Sequence, residues 1–281
     1  MEKSKLFNRI SIVTPSLDQE GFLERTIKSV VRQTRPPYEY FVIDGGSSDE
    51  SVEIIKKHHH SISYWVSEPD KGQSEAINKG FRRASGEWLC WLNGDDVLFP
   101  NALEKVQKVI NSTQGIDIIT GNIVCIDKND VIIKCIKTPG MNWYLYGRGV
   151  GSFTAPAVFF RKKLYEEARG LDDNLHISMD VDLWHKFREK NARIYHINEY
   201  LGAFRIHSSS KTVSFRGEGK DIFEHPETVS LREKYLPSVS EDTVKFFRVL
   251  FKLHRMVRLH YIKGWIDHTR WKNKRWWEVF T

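Results

Sequence analysis

The chain has 281 residues, of which 40% are hydrophobic and 28% are charged, close to the averages of soluble globular proteins. These values exclude a fibrous repeat and a disordered chain, and the length suits one α/β domain with an appendage better than two small domains. The net charge of +7 comes almost entirely from residues 241–281, which hold ten Lys or Arg against four Asp or Glu. A body close to neutral, without a nucleic-acid-reading motif, predicts that the protein does not bind nucleic acid.

The first residues lack the apolar run of a secretory signal, and no stretch of about 18 apolar residues could span a bilayer. We therefore expect a cytoplasmic protein. The three cysteines, Cys90, Cys125 and Cys135, are an odd number without C-x-x-C spacing. This pattern predicts reduced thiols rather than a disulfide framework or a zinc site.

Short β-rich runs alternate with helical patterns over the first hundred residues, which predicts βαβ units and a mainly parallel sheet. The predicted strands are residues 10–14, 40–43, 62–66 and 87–92. Helices are predicted over residues 20–34, after a cap at Ser47 or Ser48, and over about 73–83. Later, residues 121–137 predict a hairpin turning at 128–130, which would suit an antiparallel subdomain on the acceptor side.

Polar segments follow the predicted strands at residues 15–18, 44–47, 67–73 and 93–96. Ligands of open α/β sheets bind beyond the carboxyl ends of the strands, so these segments predict one cleft. Neither G-x-G-x-x-G nor a P-loop follows the first strand, which argues against a dinucleotide oxidoreductase or a P-loop kinase. The pair Asp95 and Asp96 suits a divalent cation bridging a diphosphate, although turn formation explains most such tetrapeptides.

Six segments occur in an order and spacing typical of one known family. They are Ser11-Ile12-Val13-Thr14-Pro15-Ser16, Ser29-Val30-Val31-Arg32-Gln33-Thr34, Val42-Ile43-Asp44-Gly45-Gly46-Ser47, Glu68-Pro69-Asp70-Lys71-Gly72-Gln73-Ser74, Trp91-Leu92-Asn93-Gly94-Asp95-Asp96 and Asp180-Val181-Asp182-Leu183-Trp184. On these segments the chain resembles the family-2 glycosyltransferases over about residues 8–210. The resemblance implies a GT-A fold, a nucleotide-sugar donor, inversion at the anomeric carbon, and Mn²⁺ or Mg²⁺ as cofactor.

On this resemblance we expect a GT-A domain over residues 1–215, followed by a basic, aromatic helical tail over 216–281. The fold expected for the domain is a Rossmann-like, mainly parallel sheet flanked by helices. Its nucleotide-binding half would span about residues 8–115 and its acceptor-side half about 116–215.

The resemblance also implies roles for individual residues. Asn93-Gly94-Asp95-Asp96 matches the family's D-x-D-type element, which makes Asp96 a metal ligand and Asn93 and Asp95 contacts of the donor. His207 matches a late histidine that adds a second metal ligand. Further donor contacts are expected at the strand-end positions Pro15, Ser16 and Asp44, and in the loop at Lys71, Gln73 and Ser74.

Gly45 stands where many family members carry a second Asp, which can read uracil. The expected donor is a UDP-sugar, but the base stays open for this reason. Arg205 and Lys211 could contact the diphosphate or be solvated surface charges. The triplet at residues 58–60 is not expected to bind metal, because adjacent histidines on a helix point to different faces.

Asp180 aligns with the Asp of the family's Glu-Asp element and is the expected general base, although Met179 replaces the Glu. With an ordinary pKa near 3.9 it would be ionised at neutral pH. Asp182 lies about 200° further round a helix and is expected to be structural.

The tail has an amphipathic pattern from residue 243 to 262, followed by tryptophans interleaved with Lys and Arg. It predicts contact of residues 243–281 with an anionic membrane, at the inner face of the plasma membrane, where a glycan or lipid-linked acceptor would lie. The alternative is packing on the catalytic body or on a second subunit. The residues are Phe246, Leu250, Leu253, Val257 and Tyr261 on the apolar side, Lys245, Arg248, Lys252 and Arg255 beside them, and Trp265, Trp271, Trp276 and Trp277.

The predicted function is therefore a hexosyltransferase of cell-surface glycan or lipopolysaccharide synthesis. A sugar nucleotidyltransferase is the rival enzyme, but residues 16–21 lack its glycine- and arginine-rich loop. A non-catalytic subunit that binds a nucleotide sugar is the other alternative, kept open by Met179.

Overall fold

A computed structural model describes residues 9–151, 156–210, 225–257 and 259–280. Its first part alternates strands and helices as predicted, with ends that differ by a few residues. The elements are β1 Ile10–Ser16, α1 Leu23–Val31, β2 Glu39–Asp44, α2 Ser51–Lys57, a 3-10 turn His59–Ser61, β3 Tyr64–Ser67, α3 Gln73–Arg83 and β4 Trp88–Trp91.

The second part is more irregular and includes the predicted hairpin, whose turn lies between β6 and β7. The elements are β5 Val97–Leu98, α4 Ala102–Ser112, β6 Ile118–Ile126, β7 Ile132–Ile136, α5 Trp143–Tyr146, β8 Val158–Arg161, α6 Lys162–Glu167, α7 Met179–Glu189 and β9 Ile194–Arg205. The helices that follow are α8 Pro226–Tyr235, α9 Glu241–Val257, α10 His260–Trp271 and α11 Trp277–Phe280.

The strands of the described ranges form one sheet in the order β3-β2-β1-β4-β8-β6-β9-β5, with β7 beside β6. The pairs β3–β2, β2–β1, β1–β4 and β6–β9 are parallel, whereas β5, β7 and β8 pair antiparallel with their neighbours. In this register Ser16 lies opposite Asp44, and Asp44 lies opposite Ser67. The polar ends of the first strands therefore meet at one edge of the sheet.

Helices cover both faces of the sheet and bury its alternating side chains. Ile12 and Val42 belong to one hydrophobic cluster with α1 and α4, while Val13 and Ile43 belong to another with α3, α6 and α7. Each fully buried aliphatic side chain of this kind stabilises the fold by roughly 1.5–3 kcal/mol. The polar strand ends at the edge of the sheet are therefore supported by hydrophobic clusters on both of its faces. The three cysteines are buried free thiols.

The predicted cap of the second helix is wrong. Helix α2 begins at Ser51, whose N–H donates to Asp49 Oδ1 over 2.9 Å. Ser47 Oγ instead donates to Asp44 and accepts from the backbone N–H of Asp18 at 2.8 Å. Ser47 is therefore used to join the two strand-end loops, and the helix starts four residues later.

The amphipathic segment predicted over residues 243–262 is divided between two helices, α9 and α10. Leu259 has φ 55°, a left-handed conformation that ends the helical pattern between α9 and α10. None of the helices that the structure describes is both long and apolar enough to cross a bilayer. Gly264 lets α10 lie close to β7, since a Cβ there would be 3.0 Å from the Cys135 carbonyl oxygen.

Candidate active site

The four polar strand-end segments lie against one another, as the sequence predicted. The backbone N–H of Gly45 donates to the Ser16 carbonyl at 2.8 Å, and Gln73 Nε2 donates to Asn93 Oδ1 at 2.6 Å. Gly94 must be small because a Cβ there would be 3.2 Å from the Pro15 carbonyl oxygen. Loops from four parallel strands thus form a continuous polar edge.

Asp44 holds two of these loops together. Its side chain is fully buried and accepts four hydrogen bonds, from the backbone N–H groups of Gly46 and Ser47 and from the hydroxyls of Ser47 and Ser67, at 2.5–3.1 Å. Such a carboxylate defines the shape of the loop. The contact with the nucleotide predicted for Asp44 stays a prediction.

Ser16, at the end of β1, has an unused hydrogen-bonding group. Its Oγ is buried and has no hydrogen-bond partner among the described protein atoms, and the same is true of Gln19 Oε1. An unpaired buried polar group costs about 1–3 kcal/mol. Both atoms are therefore suited to bind a polar ligand beside Pro15.

The loop before α3 connects two parts of the site. Gly72 has φ 133°, which favours glycine, and a Cβ there would be 3.1 Å from His176 Nδ1. Ser74 Oγ lies 2.8 Å from the Leu175 carbonyl oxygen and 3.0 Å from Met179 Sδ, so its buried hydroxyl faces the start of α7 rather than the open edge. Lys71 is exposed beside this turn.

The predicted metal ligands Asp96 and His207 do not face each other. Asp96 is fully buried, with Oδ1 accepting from the Arg205 backbone N–H at 2.9 Å and Oδ2 from Asn93 Nδ2 at 3.2 Å. Burial, and secondarily the charge of Asp95, raise the pKa of Asp96 well above its ordinary value. Neighbouring side chains of this turn point to different sides, which the sequence match could not reveal.

His207 lies instead beside Asp95, with Nε2 at 3.0 Å from Oδ2, and the side chains are 6% and 17% exposed. The carboxylate suits Mn²⁺ or Mg²⁺, and the imidazole beside it favours Mn²⁺ over Mg²⁺. Within the described ranges, no group of three or more His, Cys, Asp or Glu side chains could hold a metal. A metal held by Asp95 and His207 would therefore take its other ligands from the diphosphate and water.

Asp180 is the second residue of α7 and its Oδ1 accepts from the Val181 N–H at 2.8 Å. Burial raises its pKa to about 6, above the ordinary value expected from the sequence. The carboxyl is still mostly ionised at pH 7, and the higher pKa makes it a stronger base.

A carboxylate that the sequence did not single out holds the turn before Asp180. Glu227, on α8, accepts hydrogen bonds from the consecutive N–H groups of His176, Ile177 and Ser178 at 2.8–3.0 Å. It thereby fixes the turn of residues 176–178, which leads directly into α7. No pattern around residue 227 could have revealed this contact.

Two predictions for charged residues have different outcomes. Asp182 is structural as expected: it is buried and bonds to Lys186 and Lys234 and to the Tyr235 hydroxyl at 2.6–3.2 Å. Neither alternative left open for Arg205 holds, because its guanidinium is fully buried and bonded to protein oxygens. Lys211 lies outside the described residues.

Known structures share this architecture. S. aureus TarS, residues 1–349 with UDP-GlcNAc, superposes with a TM-score of 0.61 at 15% identity, covering 89% of this chain and 73% of that one. Mannosyltransferase PcManGT from Pyrobaculum calidifontis, with GDP-Man and Mn²⁺, gives 0.55 at 14% identity, covering 89% and 75%. The mostly parallel sheet and its polar strand-end site define a protein of the GT-A glycosyltransferase class.

The sequence relationships narrow this class to one family. The family model "Glycosyl transferase family 2" matches residues 11–169, and the chain belongs to that family. An uncharacterised glycosyltransferase of Rickettsia prowazekii is 28% identical over 222 residues, which is 72% of this chain. The match spans 65% of that curated relative's length.

Proposed function

We propose that this protein is an inverting hexosyltransferase that moves a sugar from a nucleotide diphosphate to an acceptor hydroxyl. One observation carries the proposal: the first two residues of α3 link the acidic motif to the helix of the candidate base. Gln73 contacts Asn93 of the motif, and Ser74 contacts Met179, next to Asp180. A transferase needs its donor phosphates and its general base on either side of one sugar.

In this proposal the metal ligands are Asp95 and His207, and the buried Asp96 helps to hold them in position. Mn²⁺ or Mg²⁺ held there would neutralise the charge that develops on the departing diphosphate. We retain Asn93 as a proposed contact of the donor; in the protein its amide bonds to Gln73 and Asp96.

Asp180 accepts the proton of the acceptor hydroxyl as that oxygen bonds to the anomeric carbon. The bond from this carbon to the diphosphate breaks on the opposite face, which inverts the configuration. The turn held by Glu227 limits the positions that Asp180 can take, and a fixed base favours the reactive arrangement.

A UDP-sugar is the donor we favour. The unpaired Ser16 Oγ at the end of β1, next to Pro15, offers a hydrogen bond to a base or ribose. TarS has been crystallised with UDP-GlcNAc, whereas PcManGT has been crystallised with GDP-Man, so the fold alone does not select the base. Gly45 has no side chain that could read uracil, and a Cβ there would be 2.9 Å from Asp70 Oδ2, so the identity of the base is left to the binding experiment.

Calorimetry with a panel of nucleotide sugars, with Mn²⁺ or Mg²⁺ and then with chelator, tests the donor and metal sites. We expect the wild type to bind one donor in a metal-dependent way and Asp95→Ala to lose that binding. Asp180→Asn should keep donor binding and lose transfer. Donor binding without transfer by the wild type, with every acceptor tried, would support a non-catalytic binding subunit instead.

The tail leads us to propose a lipid-linked or membrane-proximal glycan acceptor. Eleven of the seventeen exposed large hydrophobic side chains in the described ranges lie between residues 246 and 266, including Val257 at 80% and Trp265 at 66% exposure. Along α9, Lys245, Arg248 and Lys252 immediately precede three exposed apolar residues, which are Phe246, Val249 and Leu253. Adjacent apolar and basic rows favour an anionic membrane surface.

The rest of the tail packs against the body of the protein. Trp271 and Trp276 pack against a cluster that contains Phe99 and Tyr200, so the proposed membrane surface narrows from residues 243–281 to 246–266. We place it at the inner face of the plasma membrane.

Flotation with vesicles of anionic or zwitterionic lipid tests this surface. The double variant Leu253→Asp and Trp265→Asp should lose binding to anionic vesicles, and Tyr195→Asp, at an exposed site away from the tail, should keep it. Equal flotation of all three proteins would refute the membrane proposal, and a concentration-dependent dimer broken by the double variant would support a second subunit instead.

A further inference from the structure

The acidic motif that carries the proposed metal ligand contacts a buried arginine, which is itself neither a metal ligand nor exposed to solvent. Arg205 is 0% exposed. Its Nε donates to the Asp95 carbonyl at 2.7 Å, one Nη donates to the Asp127 carbonyl at 2.9 Å, and the other pairs with Asp130 at 2.6 Å. A buried charge is costly unless it is paired and fully hydrogen-bonded, so these partners determine where Arg205 can lie.

Arg205 and the residues after it contact the acidic motif at three atoms. The Arg205 backbone N–H binds Asp96 Oδ1, its Nε binds the Asp95 carbonyl, and His207 Nε2 binds Asp95 Oδ2. A displacement of Arg205 would therefore move both the carboxylate and the imidazole that we propose as metal ligands.

Asp130 is the counter-charge of this arginine. It is 2% exposed, and its two carboxylate oxygens pair with Arg205 at 2.6 Å and with Arg25 at 3.0 Å. Its φ of 71° is in the left-handed region, which Asp and Asn tolerate better than other non-glycine residues. The β6–β7 turn thus brings a carboxylate under the motif from outside the strand-end loops.

The C-terminal segment holds that turn. Trp276 Nε1 donates to Asp130 Oδ1 at 3.2 Å, and its backbone N–H donates to the Asp130 carbonyl at 3.1 Å. Its ring stacks on Phe99 with centroids 5.7 Å apart, and the Ile132 N–H donates to the Lys274 carbonyl at 3.0 Å. Residues 274–276 are therefore joined to the turn by side-chain and backbone contacts.

We propose that Asp130 and Trp276 are positioning residues for the donor site, acting through Arg205 on Asp95 and His207. The inference rests on the proposed function, since it gives these residues a purpose only if Asp95 and His207 hold the metal. It makes the end of the tail an integral part of the donor site, in contrast to the exposed surface at 246–266.

A matched pair of tail variants separates positioning from general packing. Trp276→Phe removes the N–H donor to Asp130 and keeps an aromatic ring. Trp271→Phe trims a tryptophan of the same cluster whose ring packs on Tyr200 and Phe280. Asp130→Asn keeps the left-handed residue preference and removes the charge.

The test is calorimetric titration of the full chain with UDP and with GDP in the presence of MnCl₂, together with kcat at saturating donor. We expect the Kd of the nucleotide that the wild type binds to rise about tenfold in Asp130→Asn and about threefold in Trp276→Phe, with Trp271→Phe unchanged, since a tenfold change corresponds to about 1.4 kcal/mol. kcat at saturating donor should fall together with affinity in Asp130→Asn and Trp276→Phe, because the metal that Asp95 and His207 would hold also stabilises the departing diphosphate, and it should stay at the wild-type value in Trp271→Phe.

The possible outcomes distinguish failure of the positioning role from failure of the proposed function. Metal-dependent binding by the wild type with unchanged Kd in Trp276→Phe, or an equal loss in Trp271→Phe, overturns the positioning role alone. Absence of metal-dependent nucleotide binding in the wild type refutes the proposed function and this inference together. Should Asp130→Asn not fold, the two tryptophan variants decide the matter.

Discussion

The charged groups of the site fall into two layers with opposite properties. Asp95, His207 and Asp180 lie at the open edge of the sheet and keep some exposure or titrate near neutral pH. Directly beneath, Asp96 and Arg205 are fully buried, and every bond they make goes to the protein.

The two layers alternate along the chain, since Asp95 precedes Asp96 and Arg205 precedes His207 by two residues. Proximity in sequence to a functional residue therefore does not predict a functional role here. The upper layer should govern activity, and the lower layer should govern stability and the position of the upper one. The following changes test that division.

The largest effect is expected from Asp180→Asn in the upper layer. Loss of the general base should lower kcat about 10³-fold. Because burial raises the folded-state pKa to about 6, above the unfolded value, the ionised carboxylate costs stability at neutral pH. The variant should therefore be more stable by about 1–3 kcal/mol at pH 7.5, with no difference below about pH 4.

Turnover assays, together with denaturant unfolding at pH 7.5 and at about pH 4, measure the lower activity and the higher stability that are expected of this variant. A stability loss at pH 7.5, or a kcat within tenfold of wild type, would contradict the assignment of Asp180 to the upper layer.

In the lower layer, Asp130→Asn should destabilise the protein by about 3 kcal/mol, because it leaves the buried Arg205 without its counter-charge. Urea unfolding of the variant and of Arg205→Met combined with Asp130→Asn measures this cost. The double variant should recover part of the lost stability, and a further additive loss would show that the pair is not coupled.

Lowering the pH is expected to reduce activity through protonation of Asp180. With the Asp180 pKa near 6, the ionised fraction and hence kcat/KM should be about tenfold lower at pH 5 than at pH 7. The pH profile of initial rates, with circular dichroism at each pH as the control for folding, checks this. A flat profile between pH 5 and 7 would exclude Asp180 as the titrating base.

The smallest effect is expected from a residue that positions the upper layer without belonging to it. Glu227→Gln weakens the carboxylate that binds the three N–H groups before Asp180, so kcat should fall about fivefold through loss of base alignment. The KM for the donor should stay constant, since the Asp95 motif is untouched. Steady-state kinetics with Thr228→Val as the neighbouring control, which loses the hydroxyl contact to Ser178, distinguishes the carboxylate from helix α8 in general.

Much of the first hundred residues could be predicted because their signals are local. Apolar runs and helical spacing predicted β1 to β4 and α3, and the meeting of the strand ends followed from parallel pairing. The family motifs predicted the region of the site. Which of Asp95 and Asp96 binds the metal stays a prediction, because it depends on the direction of each side chain in a turn, which backbone spacing does not contain.

Amino-acid sequence by itself determined the α/β class, the family, the strand-end location of the polar segments and the composition of the tail. These depend on periodicity and on motifs read over a few residues. Only the tertiary structure decided which acid is buried, that Arg205 is paired with Asp130, that Glu227 holds the turn before Asp180, and which tryptophans are covered. These contacts join residues from 49 positions apart (Ser178 and Glu227) to 177 positions apart (Phe99 and Trp276), and their energies depend on burial that arises only when the distant segments pack.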